Sequence, residues 1–212
     1  MSRLLDKGLE EFTTMILKMG DLADQTVSMS LEGFLRGIDV EEEARLRSEM
    51  LDGMSADVED KAFELIAKYQ PVASDLRIIK SYMKIAYDLE RYGRYAWDIS
   101  FTHKLIAKSE KCEHLPIPIG EMVEKTSGMV RTSVRVLRCF DAELAKTLAE
   151  TEREVDGIYL KCLEHISEAP PATKCMVCDV LVIRYLERIA DHATYVGESI
   201  IYIATGEKAI LR

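Results

Sequence analysis

Paired carboxylates one helical turn apart are the residues of this sequence best suited to chemistry. Glu152 and Asp156 form one such pair, and Glu187 and Asp191 form a second. Residues four apart lie on the same face of a helix, so each pair presents two carboxylates in one direction. Carboxylate oxygens bind Mg²⁺, Ca²⁺, Mn²⁺ or iron, and zinc also accepts them. The spacing therefore indicates a metal site, and the alternative is a metal-free, solvated acidic face.

The two acidic pairs flank a predicted helical hairpin that turns at Pro170 and Pro171. Asp156 lies 14 residues before this turn and Glu187 lies 16 residues after it. Since a helix rises by about 1.5 Å per residue, the two pairs are expected at similar heights, facing one another. Like charges this close repel each other, so either a cation or the nearby arginines must offset the repulsion.

The second pair belongs to an internal repeat. Residues 186–193 (LERIADHA) echo residues 89–96 (LERYGRYA), and an echo at this distance indicates a duplication. Each half shows three long segments with hydrophobic residues at steps of three and four, separated by turn residues. The sequence therefore predicts an all-α fold of two tandem three-helix bundles. Their predicted bounds are residues 1–108, a connector over 109–120, and residues 121–212.

The first repeat departs from the acidic pattern of the second. Its counterparts are Ser48, or the shifted Glu49, with Asp52, and Glu90 with Arg94. Glu49, Asp52 and Glu90 are therefore weaker candidate metal ligands. Our hypothesis is that Arg94 supplies in this half the positive charge that a metal supplies in the other.

Polar residues mark where several helices begin. Asp39, with Glu42 three residues later, predicts a capping box at the start of the second helix. Asp141 is predicted to cap the fifth helix, and Thr173 to begin the sixth.

Composition and charge exclude several classes of protein. The chain of 212 residues carries a formal net charge of −9, which argues against a nucleic-acid partner. No apolar run is long enough to span a membrane, and the N-terminus lacks a secretion signal. The cysteines are odd in number and irregularly spaced, as is typical of a reducing compartment. We therefore expect a cytoplasmic protein that does not insert into membranes.

Other candidate groups are less specific. Cys175 and Cys178 have zinc-ligand spacing, but without a second such pair they are interpreted as helix-borne thiols. His192 follows Asp191, and the favoured interpretation is a hydrogen-bonded surface histidine. A di-iron oxidase would need Glu-x-x-His on two helices, and no histidine here has a glutamate three residues before it. No catalytic residues are predicted.

Three motifs together resemble the PhoU family of phosphate-uptake regulators. They are residues 70–77 (QPVASDLR), 88–91 (DLER) and 186–194 (LERIADHAT). The resemblance implies tandem three-helix bundles in a homodimer that negatively regulates high-affinity phosphate uptake. It also implies binding to the ATPase subunit of a phosphate ABC transporter and, where one exists, to a sensor kinase.

The resemblance also bears on the metal site. Some PhoU proteins bind multinuclear iron or zinc through an acidic residue followed by aspartate four positions later. Glu152 with Asp156, and Glu187 with Asp191, match that pattern. Mg²⁺ or Ca²⁺ are the other candidate ions, and a protein without metal is the remaining alternative. A metal-binding or metal-storage bundle without a regulatory partner is the second interpretation of the whole chain.

Overall fold

The computed structural model describes residues 4–106, 114–168 and 173–212, which fold into seven helices and contain no strand. The first repeat comprises α1 (Leu4–Arg36), α2 (Glu41–Tyr69) and α3 (Ala73–Ile106). The second comprises α4 (Ile119–Cys139), α5 (Ala142–Lys146), α6 (Leu148–Glu168) and α7 (Lys174–Thr205). The predicted all-α fold of two tandem bundles is confirmed. Part of the predicted connector lies outside the described residues.

The predicted fifth helix is divided into the short α5 and the longer α6. At the junction, the Thr147 backbone N–H donates to the carbonyl of Leu144 at 3.2 Å, and its hydroxyl donates to the same oxygen at 2.7 Å. This tight turn separates the two segments. The acidic pair of α6 therefore lies within the helix that begins after the junction.

The polar residues at the helix starts agree with the sequence in two cases of three. Asp141 accepts hydrogen bonds from the backbone of the first turn of α5, and the Thr173 hydroxyl accepts one from Met176 N at 3.2 Å. The capping box predicted with Glu42 is wrong, although Asp39 Oδ1 accepts a hydrogen bond from the Glu41 backbone N–H at 3.1 Å. Val40 precedes α2 instead, and Glu42 pairs with Arg45 at 2.8 Å because that guanidinium lies one turn along the same helix.

Helices α3 and α7 lie antiparallel at the centre of the molecule, and their contacts repeat every seven residues. Asp88 contacts His192, the Tyr95 ring stacks on Tyr185 with centroids 6.1 Å apart, and the carbonyl of Thr102 lies 3.8 Å from Cys178 Sγ. Seven residues make two helical turns, so these contacts form one continuous seam.

The same seam relates the two repeats. Glu90 and Glu187 differ by 97 positions (187 minus 90), and the same offset converts Asp88 into position 185 and Tyr95 into position 192. The Asp88–His192 and Tyr95–Tyr185 contacts are therefore equivalent under an approximate twofold axis. The duplication has produced a protein in which each repeat packs on the other through its last helix.

In each repeat, one glycine of the last helix allows a neighbouring helix to pack closely against it. A Cβ built on Gly93 of α3 would lie 2.4 Å from Leu51 Cδ1 of α2, and one built on Gly197 of α7 would lie 2.9 Å from Leu148 Cδ1 of α6. A larger residue at either position would force these leucine side chains to shift. The approach fixes α6 against α7, which carry the acidic pairs.

Candidate functional site

The four carboxylates predicted as the main site lie on the facing helices α6 and α7. Helix α6 carries Glu152 and Asp156, and helix α7 carries Glu187 and Asp191. Glu152 and Asp191 are 8% and 7% exposed, although glutamate and aspartate are normally solvated. We call these four residues the acidic cluster.

The carboxylates of the acidic cluster act on each other across the two helices. Burial raises the pKa of Glu152, and the negative charges of Asp156 and Asp191 raise it further. Burial and the charge of Asp191 raise the pKa of Glu187 to about 7, with a smaller contribution from Asp156. Each helix thus places negative charge near enough to a carboxylate of the other helix to raise its pKa.

Arginines balance only part of this charge. Arg184 donates to Glu187 Oε2 at 2.6 Å, and Arg188 donates to Asp191 Oδ2 at 3.1 Å. Glu152 has no ion pair with a described residue, and the more distant charge of Arg212 lowers its pKa only in part. Two direct arginine partners therefore face four carboxylates, and the cluster keeps a net negative charge.

The donor chemistry of the cluster suits a cation, but Glu187 and Asp191 pair with Arg184 and Arg188. Among residues 4–106, 114–168 and 173–212, no three His, Cys, Asp or Glu side chains converge closely enough to hold a metal ion. An all-oxygen donor set with uncompensated charge fits the hard or borderline ions predicted from the sequence. Binding would require Arg184 and Arg188 to release Glu187 and Asp191.

The weaker candidates of the first repeat lie around a separate cavity of about 280 Å³ between α2 and α3, lined by Ser48, Glu49, Asp52, Glu90, Arg91, Arg94 and Trp97. Glu90 is buried, and its Oε2 lies 2.6 Å from Arg91 Nε. Glu49 turns to Arg45 of its own helix, and Asp52 is exposed. The cavity that corresponds in the first repeat to the acidic cluster is therefore lined by two arginines.

The arginine predicted to neutralise Glu90 has a different partner. Arg94 pairs with Asp98 at 3.5 Å, and its guanidinium lies 4.7 Å from the centre of the Trp97 ring. Arg94 therefore lines the same cavity as Glu90 but forms its ion pair with Asp98. Arg91 pairs with Glu90 instead, because its guanidinium reaches the carboxylate of the preceding residue.

His192 is buried and serves to join the repeats, so the prediction of a surface histidine is wrong. Its Nδ1 lies 2.8 Å from Asp88 Oδ1, and both residues are at most 3% exposed. The rings of Tyr87, Tyr95 and Tyr195 surround the imidazole at centroid distances of 5.4–6.0 Å. Sequence reasoning missed Asp88 because 104 residues separate it from His192.

The cysteine pair does not have the properties of a zinc site. Cys175 is disulfide-bonded, so its interpretation as a free thiol is wrong. Cys178 is a buried free thiol directed at the carbonyl of Thr102, as interpreted. Burial and the charge of Asp179 raise the pKa of Cys178 to about 11. A thiol with so high a pKa stays protonated at neutral pH, whereas a zinc ligand must be a thiolate.

Two antiparallel central helices, one from each repeat, and an acidic i, i+4 cluster on the second repeat define a duplicated helical-bundle protein. The family model described as "PhoU domain" matches residues 16–101 and again residues 119–200. The chain therefore belongs to the PhoU domain family, as the sequence motifs indicated. No described helix is long and apolar enough to cross a lipid bilayer.

Individual relatives match over nearly their whole length. A protein of Aquifex aeolicus, named phosphate-specific transport system accessory protein PhoU homolog, is 33% identical over 208 residues, covering 96% of this chain and 94% of its own. A Clostridium acetobutylicum protein of the same name is 30% identical over 215 residues, covering 99% and 98%. The crystal structure of PhoU from Pseudomonas aeruginosa superposes with a TM-score of 0.88 at 25% identity, covering 95% of this chain and 99% of that one.

Proposed function

We propose that this chain is a negative regulator of high-affinity phosphate uptake that acts by binding and not by catalysis. The observation that carries the proposal is the family match to both repeats together with near-full-length relatives named as accessory proteins of phosphate-specific transport. The proposed partner is the ATPase subunit of a phosphate ABC transporter, with a sensor kinase as a second partner where one exists. A homodimer in the cytoplasm is part of this proposal.

Phosphate uptake in a strain lacking only this protein tests the regulatory role. We expect the deletion strain to accumulate excess phosphate when phosphate is plentiful. Reintroducing the intact coding sequence should restore the normal limit on phosphate accumulation. Uptake that is unchanged by the deletion would contradict the proposal. Co-purification with the tagged ATPase subunit tests the partner, with the transporter's membrane subunits alone as the control bait.

We further propose that the acidic cluster binds a metal ion, with iron or zinc preferred over Mg²⁺ or Ca²⁺. Glu152 and Asp156 from α6 and Glu187 and Asp191 from α7 would hold it. The support is the unbalanced charge: burial and Asp191 raise the pKa of Glu187 to about 7 although two arginines oppose that shift. A cation would relieve the same repulsion more completely than arginines that reach two of the four carboxylates.

Metal content and metal affinity test this site. Protein purified without chelators is expected to carry a few ions per chain, whereas a storage protein without a partner would carry many. We expect the double variant Glu187→Gln/Asp191→Asn to bind Zn²⁺ at least about tenfold more weakly by calorimetry. The matched control Glu59→Gln/Asp60→Asn makes the same chemical changes on an exposed face of α2. Equal affinity in the two variants would contradict the site.

A further inference from the structure

A cavity of about 420 Å³ lies where α3, the end of α7 and the last residues of the chain meet. Gly206 has φ +81, which turns the chain back after α7, and Glu198 Oε1 accepts the backbone N–H of Leu211 at 3.1 Å. The returning segment thus closes one side of the cavity. The side chains that characterise it are Lys80, Lys84, Lys208, Tyr202, Ala209 and Ile210. We call it the basic cavity.

The basic cavity is positive in a chain whose net charge is −9. Glu198 is its single acidic lining residue, and this carboxylate lies 3.7 Å from Lys84 Nζ. Lys80 and Lys208 form no ion pair with a described residue. Arg77 adds a further charge nearby, since its guanidinium lies 5.8 Å from the centre of the Tyr202 ring. One carboxylate cannot balance these cations, so the cavity favours an anion with more than one negative charge.

The rest of the lining suits an organic body attached to that anion. Tyr202, Ala209 and Ile210 form an apolar wall, and Ile210 is 82% exposed although it is an aliphatic residue. Ser81 also lines the cavity, and a hydroxyl can donate a hydrogen bond to a ligand oxygen.

The basic cavity occurs in only one of the two repeat-related places. The positions 97 residues after Arg77, Lys80 and Lys84 are Lys174, Val177 and Leu181. Val177 and Leu181 are exposed apolar residues, so the second place has lost the cluster of charge. Helix packing is common to both repeats and does not require these lysines, which argues for a separate role.

We propose that the basic cavity binds a nucleoside phosphate. The phosphates would lie among Lys80, Lys84 and Lys208, and the base would pack on the wall formed by Tyr202 and Ile210. Lysine binds phosphate as a point charge, and the volume falls within the range typical of small-molecule sites. Inorganic phosphate as the ligand would leave the apolar wall without a contact. A ligand with a single carboxylate would leave most of the positive charge of the cavity unpaired. This site is distinct from the acidic cluster and does not depend on the proposed regulatory role.

Calorimetric titration of the full chain with ADP, inorganic phosphate and adenosine tests the proposal. We expect one ADP per chain, with phosphate and adenosine each binding at least about tenfold more weakly. The double variant Lys80→Ala/Lys208→Ala should lose at least about tenfold in ADP affinity. The control Lys18→Ala/Lys174→Ala removes two exposed lysines elsewhere and should stay within about twofold.

Three results of these titrations would overturn nucleoside-phosphate binding at the basic cavity. Absence of saturable ADP binding, or equal affinity in the two double variants, would overturn the proposal. Inorganic phosphate binding as tightly as ADP would also overturn it, because the apolar wall would then contribute nothing. Circular dichroism of each variant verifies that a loss of binding is not a loss of fold, and Tyr202→Leu supplies a second variant that leaves every charge in place.

Discussion

Asp88 Oδ1 and His192 Nδ1 lie 2.8 Å apart in the centre of the protein and join the two repeats. Both side chains are almost fully buried, and the repeat-related contact is the stacked Tyr95–Tyr185 pair. One polar and one aromatic contact therefore occupy equivalent places on either side of the approximate twofold axis. Stability is expected to depend more on the polar contact, because a buried polar group left without its partner is costly.

Removal of one partner should destabilise the whole chain. We expect Asp88→Ala to lower the free energy of unfolding by about 2–4 kcal/mol, since His192 would stay buried without its hydrogen-bond partner. Urea unfolding at pH 7, followed by circular dichroism, measures the change. Asp57→Ala, an exposed aspartate on α2, is the control and should change stability by less than about 0.5 kcal/mol. Similar values for the two variants would show that the contact contributes nothing.

The pKa of Glu187 predicts a pH dependence of stability. Burial and Asp191 raise this pKa from 4.5 to about 7, so within that window the folded chain retains a proton that the unfolded chain has lost. The free energy of unfolding therefore falls as pH rises through the window. Glu187→Gln removes this titration, so the variant should exceed the natural chain by about 1–2 kcal/mol at pH 8 and match it near pH 4.

Urea unfolding across this pH range, with a chelator present, measures the effect. Glu59→Gln on the exposed face of α2 serves as the control and should leave the pH profile unchanged. If Glu187→Gln and the natural chain have parallel pH profiles, the carboxylates of the acidic cluster do not repel each other as described.

Gly93 should not tolerate a methyl group. Its added Cβ would lie 2.4 Å from Cδ1 of the fully buried Leu51, so this side chain would have to move within a packed core. We expect Gly93→Ala to cost about 1–3 kcal/mol through overpacking. Gly53→Ala lies on an open face of α2 and should instead stabilise by about 0.5–1 kcal/mol, because alanine favours helix. Thermal unfolding of both variants measures these changes. A Gly93→Ala variant more stable than the natural chain would refute the close approach of α2 and α3.

The hydroxyl of Tyr92 provides a second tie between the repeats. It lies 2.8 Å from Ser133 Oγ of α4, and burial strongly raises the pKa of this phenol. Tyr92→Phe keeps the ring but leaves the serine with one partner fewer, which should cost about 0.5–1.5 kcal/mol in urea unfolding. Tyr87→Phe changes an exposed phenol and is the matched control. Equal stability of the two variants would exclude a net contribution from the hydrogen bond.

The helices and the acidic pairs could be predicted because they depend on spacing along a single helix. Steps of three and four residues mark one face of a helix, so Glu187 and Asp191 had to lie on the same side of α7. The partner of each arginine could not be predicted in this way. Arg91 and Arg94 are both close to Glu90 in sequence, but Arg94 contacts Asp98 and Trp97 instead. The Trp97 ring in turn donates to Glu41 of α2, a contact that the order of residues along α3 does not reveal.

The sequence by itself determined the duplication, the all-α fold, the family and the order of the carboxylates along α6 and α7. These follow from local periodicity and from motifs that survive in the linear chain. Only the tertiary structure decided that His192 meets Asp88 across 104 positions and that the end of the chain returns to complete the basic cavity. Such contacts depend on which helix faces meet, and that choice reflects the packing of the entire core, which no single helix encodes.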